Sequence, residues 1–495
     1  MSASKLPGPS GLPLIGNLLQ LRGTDLWLKF VTWTQQYGPL FFLNAGGKPT
    51  IVIGDHKVAI DLLEERGGLY SGRPSNITVN EYMTRGLVFG FAPDNDLWKR
   101  LRTSAIEALN NEMSKEFPKY QNIEAVLLVR DLLKTPESYI AHVTRAVDSS
   151  LLSMIYGLPP SSESSPTYIT ISTIASTFLR TAAQRSLVDY FPVLNYIPAS
   201  LSSWKRFAEK VYTKSDDLFE RLYKDVEKQT EAGNIIPSVS TSLVRDPVHK
   251  DLTPKEKAWL AGTLFVAGSQ TTSRQMQWFI PTIALHPDIQ VKAQKQLDDV
   301  VGRERMPNLN DYEKLPYVQA LVKEILRWRD VAPFGVPHSV SDVKNDVYEG
   351  HIVPKGSDCI VNVWGLNHDK TVYGPDADSF NPERYLNEQG QIQIIASRET
   401  KGQGHCSFGF GRRYCAGPGV AINNLFVQMA CILWSFNVGP EIDENGNPIP
   451  IDVTQVVDDR LTMYPLRTNC CKFTPRFAGV EEIIKKTLEA SGLGY

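Results

Sequence analysis

The segment Phe408-Gly-Phe-Gly-Arg-Arg-Tyr-Cys415-Ala-Gly417 fills every fixed position of the pattern F-x-x-G-x-R-x-C-x-G. Each residue type there meets a demand of a sulfur that must bind iron. The glycines let the backbone bend closely around the sulfur, and Phe408 can shield it from water. Cys415 stands just before a helical run, whose free N–H groups and positive end favour a thiolate. A thiolate pushes electron density onto a haem iron and favours O–O cleavage, which a histidine ligand supports less well. A lone cysteine at a helix start is most often a small buried hydrophobe. With the whole pattern filled, the metal-ligand reading outweighs that alternative.

Five further constellations stand upstream. Glu324 and Arg327 form E-x-x-R, three apart and on one helix face, where a carboxylate and a guanidinium can lock together if buried. Exposed, the same pair is worth well under about 1 kcal/mol. Arg384 follows within Phe380-Asn-Pro-Glu-Arg384-Tyr385. Trp98 and Arg102 lie one helical turn apart as W-x-x-x-R, and His338 closes Val336-Pro-His338. Taken singly, a Trp or a His is more often core packing. Ala267-Gly268-Ser269-Gln270-Thr271-Thr272 sits in the middle of a long helical stretch, and by itself it is a Ser/Thr-rich helix face.

With these motifs in place, the chain from Pro7 to Phe477 resembles the cytochrome P450 family. The resemblance implies a mainly α fold with small β-sheets, forming one large domain over residues 1–495 that encloses haem b. Cys415 would be the axial ligand of the iron, with Phe408 and Gly417 beside it. Trp98, Arg102, His338 and Arg413 would meet the haem propionates, arginine being suited to bidentate carboxylate binding. Glu324, Arg327 and Arg384 would make a structural triad that holds the thiolate loop. Gly268 would leave room for dioxygen, and the Thr271 hydroxyl would hold a water for protonation. Gln270 departs from the family, which usually places Asp or Glu there. Its amide orients water yet cannot give up a proton near neutral pH. Ile77, Val79, Phe89, Phe91, Phe265, Phe334 and Val336 would line a substrate pocket with few charges, suited to apolar molecules.

The elements that must position these residues are legible in outline. Leu6 to about residue 40 opens with prolines, in Leu6-Pro-Gly-Pro9. Two apolar runs between Pro39 and Ile53, separated by Gly46-Gly47, predict a β-hairpin. Three- and four-residue apolar spacing makes the region from about Trp98 to Leu285 helical. Within it, Thr253 followed by Pro254 starts a long helix over 254–281. A strand-rich patch spans 347–363. The stretch 376–417, rich in Gly, Pro, Asn and Ser, reads as a meandering loop leading into the thiolate segment. Residues 419–436 are again helical. No repeat or linker divides the chain.

Composition sets the remaining bounds. The 495 residues are 42% hydrophobic and 21% charged, which suits a globular protein with a substantial core. A net charge of −2 and the lack of a long basic run argue against nucleic acid as a partner. The six cysteines, Cys359, Cys406, Cys415, Cys431, Cys470 and Cys471, all fall late in the chain, which disfavours a disulfide-built secreted protein. A zinc site would have to combine His405 and Cys406 with distant partners. No run of about eighteen apolar residues stands near the N-terminus, so no transmembrane anchor is expected in this chain.

The resemblance implies an NADPH-dependent monooxygenase in the style of fungal microsomal members that oxidise secondary metabolites and xenobiotics. Electrons would come from NADPH-cytochrome P450 reductase through its flavins, with cytochrome b5 as a further partner. Lys99, Arg100 and Arg412 would belong to the positive face that such a reductase meets. Tyr190 to Ile197 would touch the endoplasmic reticulum membrane from the cytosolic side, and a monomer is expected. Two rivals stand beside this reading: a haem-thiolate isomerase or dehydratase that needs no reductase, motivated by Gln270, and a haem or lipid carrier without turnover.

Overall fold

The computed structural model describes residues 4–183, 186–458, 462–465 and 471–494. Eight longer helices frame the site: α1 (Asp96–Asn110), α2 (Phe117–Lys134), α3 (Tyr139–Tyr156), α4 (Pro166–Ala183), α5 (Ser203–Glu231), α6 (Pro254–Leu285), α7 (Pro316–Trp328) and α8 (Pro418–Ser435). The main sheet has four strands: β1 (Leu40–Ala45), β2 (Lys48–Ile53), β3 (His338–Ser339) and β4 (Asp358–Val361). Their spatial order is β1-β2-β4-β3. The predicted hairpin β1-β2 is antiparallel with Phe42 opposite Ile51, β2 runs parallel to β4, and β3 closes the edge with His338 opposite Cys359. That last pairing carries His338 from a short edge strand to the cavity described below.

α6 is the axis of the molecule. Its start is fixed by a capping box in which the Glu256 amide donates to Thr253 Oγ1 (3.2 Å) and the Thr253 amide donates to Glu256 Oε2 (2.7 Å). Apolar residues cover its whole circumference, from Trp259 and Phe265 to Met276 and Phe279, so it is buried on every side. One apolar core gathers α1, α3, α4, α5 and the first half of α6, and a second gathers α2, α7, α8 and the second half of α6. The residues singled out for oxygen chemistry sit where these two cores meet.

Three expectations on element bounds are revised. The helix predicted to stop at Pro281 runs one turn further to Leu285, with the proline inside it. The lost hydrogen bond and ring clash cost about 3 kcal/mol, which the complete burial of Ile280 and Ile283 offsets. The opening segment holds a helix, Leu26–Tyr37, whose Trp27, Phe30 and Trp33 recur at three-residue spacing and are all buried. The strand-rich patch ends two residues early, because Asn362 caps a short helix over Val363–Asn367. Of the six cysteines, Cys470 lies outside the described residues, and the other five form no disulfide.

Candidate functional site

A single large cavity runs between α6 and the segment before α8, with room for the centres of water-sized molecules amounting to about 360 Å³. Its wall is mainly apolar, and two polar groupings interrupt it. The first is the loop that carries Cys415. Gly411 has φ +59° there, and a Cβ on it would lie 2.0 Å from the Leu63 carbonyl oxygen, so only glycine permits the turn. The Gly411 amide donates to Glu64 Oε1 (2.8 Å) and the Cys415 amide to the Phe408 carbonyl (2.9 Å). Both bonds draw the loop into a tight arch. Phe408, Cys415 and Gly417 all lie on the cavity wall. Burial pushes the Cys415 thiol up, while the Gly417 amide and the Arg102 charge draw it back toward the thiolate.

The neighbouring Cys406 is a different case. Its sulfur lies 3.7 Å from His56 Nδ1 and 3.7 Å from the Glu399 carbonyl, packed among Tyr70, Cys359 and Phe410 away from the cavity. Burial, then the Asp330 and Glu399 charges, pushes its thiol up.

The second grouping is cationic. Arg73, Arg102, Arg413, His338 and Trp98 line one part of the cavity. Arg413 stacks over Trp98 at 4.0 Å and donates to the carbonyls of Ser71, Phe89 and Ala92. Arg102 donates to the Tyr414 carbonyl (2.6 Å), tying α1 to the cysteine loop. Arg73 donates to Gly90 and Val336 carbonyls. No carboxylate pairs with these three guanidiniums within hydrogen-bond distance among the described residues. Burial, then repulsion from Arg413 and Arg102, drives Arg73 well below the usual arginine range. Burial pushes Arg413 down to about 10, against Asp94. The Trp98 indole N–H has no partner among the described residues. Buried cations without a counter-charge and an orphaned donor mark a place built for an anionic group, and two propionates of a haem answer that description. His338 donates from Nδ1 to the Tyr70 carbonyl (2.9 Å), and burial, with Arg73 next, lowers it to about 3.

On the α6 side, Ala267, Gly268, Thr271 and Thr272 reach the cavity. The Thr271 hydroxyl donates to the Ala267 carbonyl (2.8 Å), which leaves its lone pairs toward the cavity. A Cβ on Gly268 would lie 3.0 Å from Leu151 Cδ2 of α3, so glycine keeps this crossing close. Gln270 does not reach the cavity wall. Its position is set by the helical repeat, which turns it away from the face shared by 268, 271 and 272.

The triad residues stand off the wall. Arg327 uses all five of its N–H donors: Nε and Nη2 to the two oxygens of Glu324 (2.7 Å each), Nη1 to the carbonyls of Asn367 and Ala377 (2.7 Å each), and Nη2 to Ser379 (3.0 Å). Arg384 Nε donates to Glu324 Oε1 at 3.2 Å, and its Nη2 to Asp376 Oδ2 at 3.1 Å. Asn367 also accepts the Cys406 amide (2.8 Å), so the network reaches the cysteine loop through one residue.

Of the seven residues expected to line the pocket, Phe89, Phe91, Phe334 and Val336 do. Ile77, Val79 and Phe265 do not. Ile77 and Val79 begin a wide turn over Thr78–Met83 that packs against α5, and Phe265 lies on a face of α6 buried against its helical neighbours. Sequence reasoning missed Arg73, which sits in a loop with no periodicity to flag it. It also missed Asp330, a buried wall residue whose Oδ2 has no partner and whose carboxyl burial pushes far up.

The family model described as Cytochrome P450 matches residues 6–464. A cytochrome P450 monooxygenase of Armillaria gallica is 42% identical over 490 residues, covering 99% of this chain and 93% of its own. Cytochrome P450 monooxygenase 58 of Postia placenta is 39% identical over 485 residues, covering 98% and 91%. Cytochrome P450 monooxygenase iboC of Amanita muscaria is 34% identical over 529 residues, covering 98% and 93%.

Proposed function

The chain belongs to the cytochrome P450 family and is a haem-thiolate monooxygenase, and on that premise we propose that Cys415 is the iron ligand and that haem b fills the cavity with its propionates among Arg73, Arg102, Arg413 and Trp98. The observation that carries this assignment is that Cys415 and the uncompensated arginines share one cavity, whereas Cys406 faces away from it. Bound there, the haem supplies dioxygen activation and transfer of one oxygen atom to an organic substrate. The protein's own contribution is positional. The arch at Gly411 holds the sulfur and Phe408 excludes water from it. Arg102 and the Gly417 amide oppose the effect of burial and favour its ionised form, and Thr271 presents lone pairs to the oxygen side.

The substrate is apolar and aromatic or polycyclic in character, because Phe89, Phe91, Phe178 and Phe334 line a mainly apolar wall. Electrons arrive from NADPH through a flavin-containing reductase, with cytochrome b5 as a second donor. Of the three cations expected on that face, Lys99 pairs with Asp96 and Arg100 with Glu256, while exposed Arg412 makes no ion pair among the described residues. Leu14, Leu187, Phe191, Val193, Tyr196 and Leu201 are all exposed, and Leu18 and Tyr190 both flank Gly46, which brings the opening loop beside this segment. That apolar face supports peripheral contact with the endoplasmic reticulum membrane.

The deciding measurement is the absorbance of the reduced, carbon-monoxide-bound protein. Wild type and Cys406→Ala should show the strongly red-shifted Soret band of a thiolate ligand, and Cys415→Ala should not. A red-shifted band in Cys415→Ala overturns the assignment. NADPH-coupled oxygen uptake with reductase separates a monooxygenase from a reductase-independent isomerase.

A further inference from the structure

Asp148, on α3, is a carboxylate that the chemistry above leaves unused. It is fully buried, and no cation pairs with it among the described residues. A buried charge in that state needs a reason. Its two oxygens are engaged from opposite sides. Oδ1 accepts the hydroxyl of Ser269 on α6 (2.5 Å), and Oδ2 accepts the hydroxyl of Ser172 on α4. Ser172 is only partly buried, and Ser269 is completely so. Ser269 lies directly between Gly268 and the residue where an acid is missing, Gln270. Three residues on, and therefore on the same helical face, Thr272 reaches the cavity.

We propose that Ser172, Asp148, Ser269 and Thr272 form a proton wire from the protein surface to the oxygen-handling part of the cavity, with Asp148 as the titrating member that replaces the acid absent at position 270. The proposal rests on the monooxygenase reading, since dioxygen reduction consumes protons inside the cavity. When Asp148 is ionised, both serine hydroxyls donate to it. When it is protonated, the Ser269 hydroxyl turns to accept its proton and passes its own, through one bridging water, to Thr272. Ser172 then returns a proton from solvent to the carboxylate. One proton enters the cavity, one leaves the solvent, and no electron moves.

The surroundings of Asp148 suit this role. Burial pushes its carboxyl up to about 6, with the two serine donors holding it back, so both forms are populated near neutral pH. From α4 the facing titratable group is Tyr168, pushed up to about 12 by burial and then by Asp148 and Glu163. On α3 itself, Arg145 stands one turn back, and it is engaged with Glu124 of α2 and with Asp131. From α6 the facing group is the Ser269 hydroxyl, which carries no charge.

The test is Asp148→Asn in the haem-loaded protein with reductase, an apolar substrate that shifts the spin state, and NADPH. An unchanged carbon-monoxide spectrum and melting temperature establish that the fold and ligand are intact. Product formed per NADPH consumed should fall on the order of tenfold, with hydrogen peroxide released instead, and the pH profile should lose its limb near 6. Infrared spectra of the resting protein should show a protonated carboxyl signal that titrates near that pH in wild type and is absent from Asp148→Asn. Ser269→Ala should reproduce the loss of coupling while keeping the infrared signal, and it serves as the second route if Asp148→Asn does not fold. If the variants couple as well as wild type across pH 5–8, the wire is overturned while the monooxygenase reading stands. If wild type itself shows no NADPH-coupled oxygen uptake, that reading fails and takes the wire with it.

Discussion

Replacing Glu324 by glutamine tests how the cysteine loop is held, because it changes one charge and almost no volume. Glu324 Oε1 accepts from Arg327 Nη2 (2.7 Å), Arg384 Nε (3.2 Å) and the Asn381 amide (2.8 Å), and Oε2 accepts from Arg327 Nε (2.7 Å). A glutamine that keeps its oxygen at the three-donor position must set its NH2 against Arg327 Nε, donor against donor. One charge-assisted bond, worth about 1.5–3 kcal/mol, is lost outright. In addition Arg327, which has no exposed surface, loses the only carboxylate that pairs with it among the described residues, whereas Arg384 keeps Asp376. Breaking a fully buried pair by removing one partner costs about 3–5 kcal/mol, against a total stability of about 5–15 kcal/mol. Urea unfolding of the haem-loaded protein, followed both by circular dichroism and by the Soret band, should show a loss in that range, with haem released at lower urea than helix content is lost. A loss under about 1 kcal/mol, the worth of an exposed pair, would refute the argument that burial gives this network its weight.

Further outcomes follow from the same geometry. Gly411→Ala forces φ +59° and a contact with the Leu63 carbonyl onto a side-chain-bearing residue, so it should cost at least about 1–3 kcal/mol and yield protein with little bound haem, as read from the ratio of Soret to protein absorbance. Trp98→Phe keeps an aromatic ring under Arg413 but removes the indole N–H together with part of the ring; haem transfer to an acceptor protein should quicken at least about fivefold, the worth of one hydrogen bond near 1 kcal/mol. Burial, with Lys323 next, lowers buried His405 to about 3, so the unfolded chain binds a proton that the fold refuses between about pH 6.5 and 3. That stability is present above 6.5 and is lost as pH falls, and His405→Asn should flatten the acid limb by up to about 1.4 kcal/mol per pH unit in urea midpoints. Phe191→Asp with Tyr196→Asp should weaken co-sedimentation with neutral phospholipid vesicles at least about tenfold without altering the carbon-monoxide spectrum.

What could be read from the sequence divides along a physical line. The cysteine segment, the E-x-x-R turn and the Trp98-Arg102 pair are local: spacing along one chain segment already places their side chains on one face or one arch, so their geometry is written in a few adjacent residues. The hairpin β1-β2 and the start of α6 are local in the same sense, through turn glycines and a capping box. What escaped depends on which segments meet in space. Val79 and Phe265 are apolar residues near cavity-lining neighbours in sequence, yet their helical phase turns them into the core. Arg73 becomes informative only once Arg102 and Arg413, 29 and 340 residues further on, are seen beside it without a counter-charge.

Asp148 shows the same limit at the point of greatest chemical consequence. In sequence it is one of several polar residues in its helix, and Gln270 is one amide where an acid was expected, 122 residues apart. Neither observation says anything about the other until α3 and α6 are packed together. Packing then places the buried carboxylate 2.5 Å from the hydroxyl adjacent to the amide, with a second hydroxyl leading outward. A departure from a family pattern at one position is therefore weak evidence about lost chemistry, because a carboxyl group acts through distance to the reacting centre and not through its place in a motif. The structural question is whether a titratable group reaches the oxygen-handling stretch of α6 from another helix, and in this protein α3 brings Asp148 to Ser269.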